Sequence, residues 1–158
     1  MKSDSLLRHI VVPFGIAVLV YVIFYTAIEH RRTVKGPWRV TFTFDGHREA
    51  ALSIDQPFLG ITNAGVVFKD QLLPSDFSSK VLTFAQPRPV PYDVPFGKCI
   101  FMDTTFLPGT LVLEAYGHEI QLLPRTLLID RQEQGWHSGT TLLISGTNVI
   151  NSQKAGKN

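Results

Sequence analysis

Cysteine is almost absent from this 158-residue chain: Cys99 stands alone. One cysteine excludes an intramolecular disulfide, a CxxC pair and a CxxCH haem attachment, and Cys99 reads as a small buried hydrophobe. Charge is scarce too, with charged residues at 18% and a formal net charge of +2, against roughly 25% charged residues in an average soluble domain. So small a net charge, with no long basic run, leaves no footprint for a nucleic-acid partner. Aromatic rings with a polar handle are few. Phenylalanine occurs 11 times, tyrosine 4 and tryptophan 2, a balance that suits core filling better than a sugar-stacking platform. Trp136, Tyr92 and Tyr116 are the rings that would build such a platform.

Patterns that carry chemistry are missing as well. The sequence holds no H-x-H, HExxH, G-x-S-x-G, G-x-G-x-x-G or G-x-x-x-x-G-K-[ST], so zinc, acyl-transfer and phosphate-cradle sites have no motif. His9 and His30 flank an apolar run, and His47 sits beside a turn signal. His118 and Glu119 are adjacent in a candidate strand, so their side chains point to opposite faces and do not ligate one metal together. No histidine is nominated as a base for Cys99. Asp103, Glu114 and Asp130 are the carboxylates available for a glycosidase-like pair, but in sandwich strands such residues mark the solvated face. From the residues alone, the catalytic, metal-ligating and cofactor-binding sets are empty.

What the chain does have begins at its N-terminus. From Ile10 to Ile28 no residue is charged, with His9 and Glu29 closing the window. At 1.5 Å per residue this run is roughly 28 Å long, close to the hydrocarbon thickness of a bilayer. It is apolar on every side, which predicts a transmembrane helix over 10–28 rather than an amphipathic one. Pro13 falls in the first turn, where its missing N–H costs little. Tyr21 and Tyr25 approach the far interface and Trp38 follows just outside it, so all three read as membrane-interface residues. The rival reading, a cleaved signal peptide with Lys2 and Arg8 in its basic region, fits less well: the apolar run exceeds the usual length, and no A-x-A site follows.

Orientation pulls two ways. Arg31, Arg32, Lys35 and Arg39 follow the helix while Lys2 and Arg8 precede it, and a literal count places the C-terminal domain in the cytoplasm. A short N-terminal tail beginning with Lys is nevertheless the common form of a signal anchor, and folded domains translocate largely regardless of charge. The expectation is therefore an inner-membrane, single-pass chain with a periplasmic or otherwise extracytoplasmic domain. Residues 1–9 form a short tail, 29–36 a juxtamembrane linker, 37–150 the soluble domain and 151–158 a disordered polar tail.

The soluble domain reads as β. Between Pro37 and Phe44, Trp38, Val40, Phe42 and Phe44 alternate with Arg39, Thr41 and Thr43, the period of a half-buried strand. Asp45-Gly46 follows, favouring a type I′ turn into a returning strand at His47–Ile54. Further strands are expected at 65–68, 80–85, 98–103, 110–116, 118–123, 125–130 and 140–144, separated by Gly, Pro and Asn. No stretch after residue 35 holds a helical period. Short strands at this spacing predict an all-β, antiparallel β-sandwich of the jelly-roll or Ig-like class with eight or nine strands, preceded by one transmembrane helix. No internal repeat occurs at a fixed period.

The segment Gln86–Pro95 carries four prolines, which remove ladder donors and stiffen the chain. Run extended, it places Val90, Tyr92, Val94 and Phe96 on one face. That stripe is covered either by the domain's own core or by a partner. The leading functional expectation is a non-enzymatic, membrane-anchored accessory or structural subunit. It would dock on integral membrane subunits of a larger complex (electron-transfer, photosynthetic or envelope machinery) with the lipid bilayer as its second partner and Val90, Tyr92, Val94 and Phe96 as its contact. The alternative is an anchored binding module for a glycan, lipid or peptide.

Overall fold

The computed structural model describes residues 4–135, 137–146 and 148–154. A 30-residue helix, α1 (Asp4–Thr33), opens the chain. Within Arg8–Thr33 its most apolar 18-residue window has a mean hydropathy of 2.3 and is buried nowhere against the rest of the chain, and the helix is long and apolar enough to cross a membrane. The helix continues past Ile28 through Glu29–Thr33, so the expected linker at 29–36 is mostly a further helical turn. Glu29 and Arg32 pair at 3.1 Å along it, one turn apart, the spacing at which side chains meet on a helix surface.

Among the described residues twelve strands follow: β1 (Trp38–Phe44), β2 (Glu49–Gln56), β3 (Ile61–Leu72), β4 (Lys80–Phe84), β5 (Tyr92–Val94), β6 (Gly97–Asp103), β7 (Thr110–Ala115), β8 (His118–Leu122), β9 (Leu127–Ile129), β10 (Gln132–Gln134), β11 (Thr140–Ser145) and β12 (Asn148–Lys154). They form two six-stranded sheets, ordered β12-β11-β3-β2-β1-β4 and β10-β9-β8-β7-β6-β5. In the first sheet β4-β1-β2-β3 is a Greek key, because the chain leaves β3 and returns beside β1. The second sheet is a meander of sequence neighbours. The sheets face each other as a sandwich: Val40, Phe42, Leu52 and Ile54 from one meet Leu111, Leu113, Ile120 and Ile129 from the other in a single buried cluster.

The alternation in β1 fixes which face turns inward. Trp38, Val40 and Phe42 are fully buried, while Phe44, at the strand's end, stays partly exposed under the Arg48 guanidinium at 5.2 Å. The sandwich is not antiparallel throughout, since β11 pairs with β3 in parallel. The chain reaches β11 only after completing the second sheet, and it enters at the end where β3 begins: Gly139 N donates to Thr62 O at 3.0 Å. The polar segment expected to trail off from Asn151 contributes Asn151–Lys154 to β12.

Turn chemistry also departs from expectation. The β1–β2 connection is not a two-residue turn at Asp45-Gly46. The Asp45 carboxylate accepts from His47 N at 2.8 Å and Glu49 N at 2.9 Å, which closes a longer loop in which Arg48 takes the positive φ, 63°. Among the described residues, two-residue turns with positive φ at both positions are Tyr116-Gly117, joining β7 to β8, and Asp130-Arg131, joining β9 to β10.

Candidate functional site at the helix–sandwich junction

The end of α1 does not hang free. Gly36 N donates back to Thr33 O at 3.0 Å, and Pro37 then turns the chain into β1, the usual Gly–Pro helix stop. The Gln56 side chain, 1% exposed, lies beneath this turn. Its Nε2 faces the carbonyls of Lys35, Gly36 and Pro37 at 3.1, 2.9 and 3.2 Å, and its Oε1 accepts from Phe58 N at 3.0 Å. Both ends of the amide are thereby satisfied, as a buried polar group requires. From the other sheet, Leu107 N donates to Arg32 O at 2.8 Å and Arg32 Nε donates to Thr105 O at 2.8 Å. Trp38 Nε1 donates to Gly109 O at 3.0 Å in the same β6–β7 loop. The end of β2 in one sheet therefore holds the exit turn of the helix, and the β6–β7 loop of the other holds its last turn.

Beside this clamp lies an open cavity of about 390 Å³, lined among others by Thr33, Lys35, Arg39, Asp55, Phe58 and Thr83. Arg39 stands in β1 directly opposite Asp55 of β2 and Thr83 of β4. The three are thus one cross-strand row on the sheet's outer face. Asp55 uses Oδ1 to accept from Asn63 N at 2.8 Å. Lys35 Nζ sits 5.9 Å over the Phe58 ring. Among the described residues Lys35 and Arg39 have no carboxylate partner. Three large apolar side chains surround the helix exit in solvent: Val34 at 48%, Phe58 at 59% and Phe106 at 58% exposure.

Trp38, expected at the membrane interface, is instead fully buried in the sandwich. It opens β1 on the inward phase with Val40 and Phe42, and its indole N–H is satisfied by Gly109, so packing overrides its proximity to the helix. Tyr21 and Tyr25 remain exposed on α1, their rings 6.1 Å apart and stacked. The rings that do stand outside near the helix end, Phe58 and Phe106, lie in loops far along the sequence, and no periodic signal marks them.

The stripe Val90, Tyr92, Val94 and Phe96 is mostly taken by the domain itself. Val94 is buried, and Tyr92 and Phe96 pack against the core. Phe96 lies 5.5 Å edge-on to Phe42 and 5.6 Å from Tyr116. Only Val90 is left outside, at 39% exposure. The physical reason is β5, which pairs Tyr92 with Cys99 and Val94 with Gly97 and so turns the stripe inward. Burial pushes the Tyr92 hydroxyl well above its ordinary pKa, and the neighbouring Cys99 thiol adds to the rise. Burial likewise raises the Cys99 thiol. Tyr92→Ala should lower the stability of the folded chain by about 2 kcal/mol, less than a fully buried aromatic because the ring is only partly enclosed. Differential scanning calorimetry would show it, and an unchanged melting temperature would mean the stripe is not part of the core.

The remaining sequence candidates are scattered. Asp103 caps the β6–β7 loop, accepting from Thr105 N at 2.9 Å, and bonds from Thr105 hold its carboxyl below the usual carboxylate range. Glu114 lies opposite Lys98 in the ladder. Asp130 accepts from Glu119 N at 2.9 Å and lies 2.7 Å from His118 Nδ1. This His118–Asp130 contact was invisible in the sequence, where the length of β8, a turn and all of β9 separate the two. It holds two adjacent hairpins together. Among the described residues no group of three His, Cys, Asp or Glu side chains is placed to hold a metal ion. Trp136 lies outside the described residues.

No protein-family model matches the chain, and neither a curated protein nor a solved structure is found to be similar to it.

Proposed function

We propose that the chain is a membrane-anchored, non-enzymatic accessory subunit whose sandwich is held at a fixed height and orientation over the bilayer to dock on integral membrane subunits. The observation that carries this reading is the clamp: Gln56 with the carbonyls of Lys35, Gly36 and Pro37, and Leu107 with Arg32. A helix that merely retains a domain needs no such bonds, and a flexible linker serves it as well. A helix whose last turn is bonded to one sheet's loop and whose exit turn is bonded to the other sheet transmits its tilt and rotation to the domain. Every described face of the apolar span is free of intrachain packing, which leaves it available to lipid or to other helices. The alternative, an anchored binding module, is favoured by the cavity beside the clamp.

Sizing in mild detergent tests the main reading. Migration of the full chain within a larger assembly supports it, and migration as a lone monomer counts against it. Leu19→Arg, at the middle of the apolar run, should cost about 3 kcal/mol of insertion free energy and impair integration. Complete retention in carbonate-washed membranes would show that the domain has membrane affinity of its own. The proposed extracytoplasmic side is checked by C-terminal fusion to reporters active on only one side of the membrane. A cytoplasmic signal would mean that Arg31, Arg32, Lys35 and Arg39 govern the topology.

A further inference from the structure

The cavity at the helix–sandwich junction has features that a structural crevice does not need. It lies where an apolar helix ends, and it gathers two cations, Lys35 and Arg39, that have no carboxylate partner among the described residues. Its one carboxylate, Asp55, is already engaged by a backbone N–H. Two positive charges against one negative favour a singly charged anion over a polyanion. Below it, Phe24, Ala27, Ile28 and Arg31 line an apolar groove on α1. These positions follow the 3-4 spacing of one helix face, and Lys35 lies in the turn just beyond the end of that helix. The small Ala27 side chain leaves room between Phe24 and Ile28 for an acyl chain.

We propose that this cavity binds the phosphodiester headgroup of an anionic phospholipid. Arg39 and Lys35 take the phosphate oxygens, a guanidinium offering paired donors and an ammonium a point charge. One acyl chain runs down the groove at Phe24, Ala27 and Ile28, and Phe58 covers the headgroup from the sandwich side. The exposed rings of Phe58 and Phe106 then lie at headgroup level, where aromatic side chains are favoured. This inference rests on the chain's being membrane-anchored, and not on its being a subunit of a complex.

The test uses the full chain in a neutral detergent, with phosphatidylglycerol, phosphatidylcholine or inorganic phosphate added at matched phosphate concentration. Phosphatidylglycerol at ten times its dissociation constant should raise the melting temperature by about 5 °C. Phosphatidylcholine should raise it far less, and inorganic phosphate, lacking a chain for the groove, not at all. K35Q/R39Q should melt like the parent without lipid, since both side chains are exposed, and should lose the phosphatidylglycerol shift. The single variant R39Q, which leaves Lys35 in place, should show a partial shift. Equal shifts from the two lipids, a full shift retained by K35Q/R39Q, or a shift reproduced by inorganic phosphate would each overturn the site. A chain that stays in carbonate-washed membranes yet shows no lipid preference overturns the headgroup site alone and leaves the anchor standing.

Discussion

Trp38→Ala should destabilise the chain by about 3–5 kcal/mol, the range for a buried large aromatic cut back to a methyl group. The side chain is wholly enclosed, and its removal leaves both a cavity between the sheets and the Gly109 carbonyl without its indole donor. For a domain of this size the melting temperature should fall by at least about 10 °C. Phe58→Ala is the informative comparison, because Phe58 is 59% exposed beside the same junction and its loss should move melting little. If Trp38 were an interfacial anchor, the pattern would reverse: Trp38→Ala would weaken membrane association and leave melting unchanged. A normal melting curve for Trp38→Ala would remove the residue from the core.

The same residue shows what the sequence could and could not convey. Its alternation with Val40 and Phe42 already placed it on the buried face of β1, and that period-2 signal was the reliable one. Nearness to an apolar helix was the misleading one, because it records distance along the chain and not the direction of a side chain. Strands of five or more residues with alternating burial, such as β1, β8 and β11, were legible for the same reason. β5 and β10, at three residues each, offer too few positions for a period to emerge. The Asp45-Gly46 turn failed for a local cause: the Asp45 carboxylate finds two backbone donors within its own loop and stabilises a longer connection. Asp130-Arg131 succeeded as a tight turn through a tertiary cause, the bonds Asp130 makes to Glu119 and its contact with His118. Gln56 carried no signal at all. One glutamine at a strand end has no motif, and only the convergence of three carbonyls on its amide marks it as the centre of the junction.

The junction's other half depends on a backbone that cannot accept a side chain. Gly109 has φ of 69°, and a Cβ added there would lie 1.8 Å from Asp103 O and 2.9 Å from Asp103 C. Both are backbone atoms, so no rotamer change relieves the collision. Gly117 makes a matched control, since its φ is 84° but a Cβ would meet nothing within 4 Å. Gly117→Ala should therefore cost only about 1 kcal/mol for the left-handed backbone. Gly109→Ala adds displacement of the β6–β7 loop to that strain and should cost upwards of about 3 kcal/mol. The displaced loop carries the Gly109 carbonyl that holds Trp38 and the Leu107 N–H that holds Arg32. The variant should thus loosen the helix end as well as the core. Limited trypsin digestion of the full chain should cut faster at Arg31, Arg32 or Lys35 in Gly109→Ala than in the parent, with Gly117→Ala resembling the parent. If Gly109→Ala melts and digests like Gly117→Ala, the loop yields without effect on the clamp, and a fixed coupling between helix and sandwich is lost as an explanation.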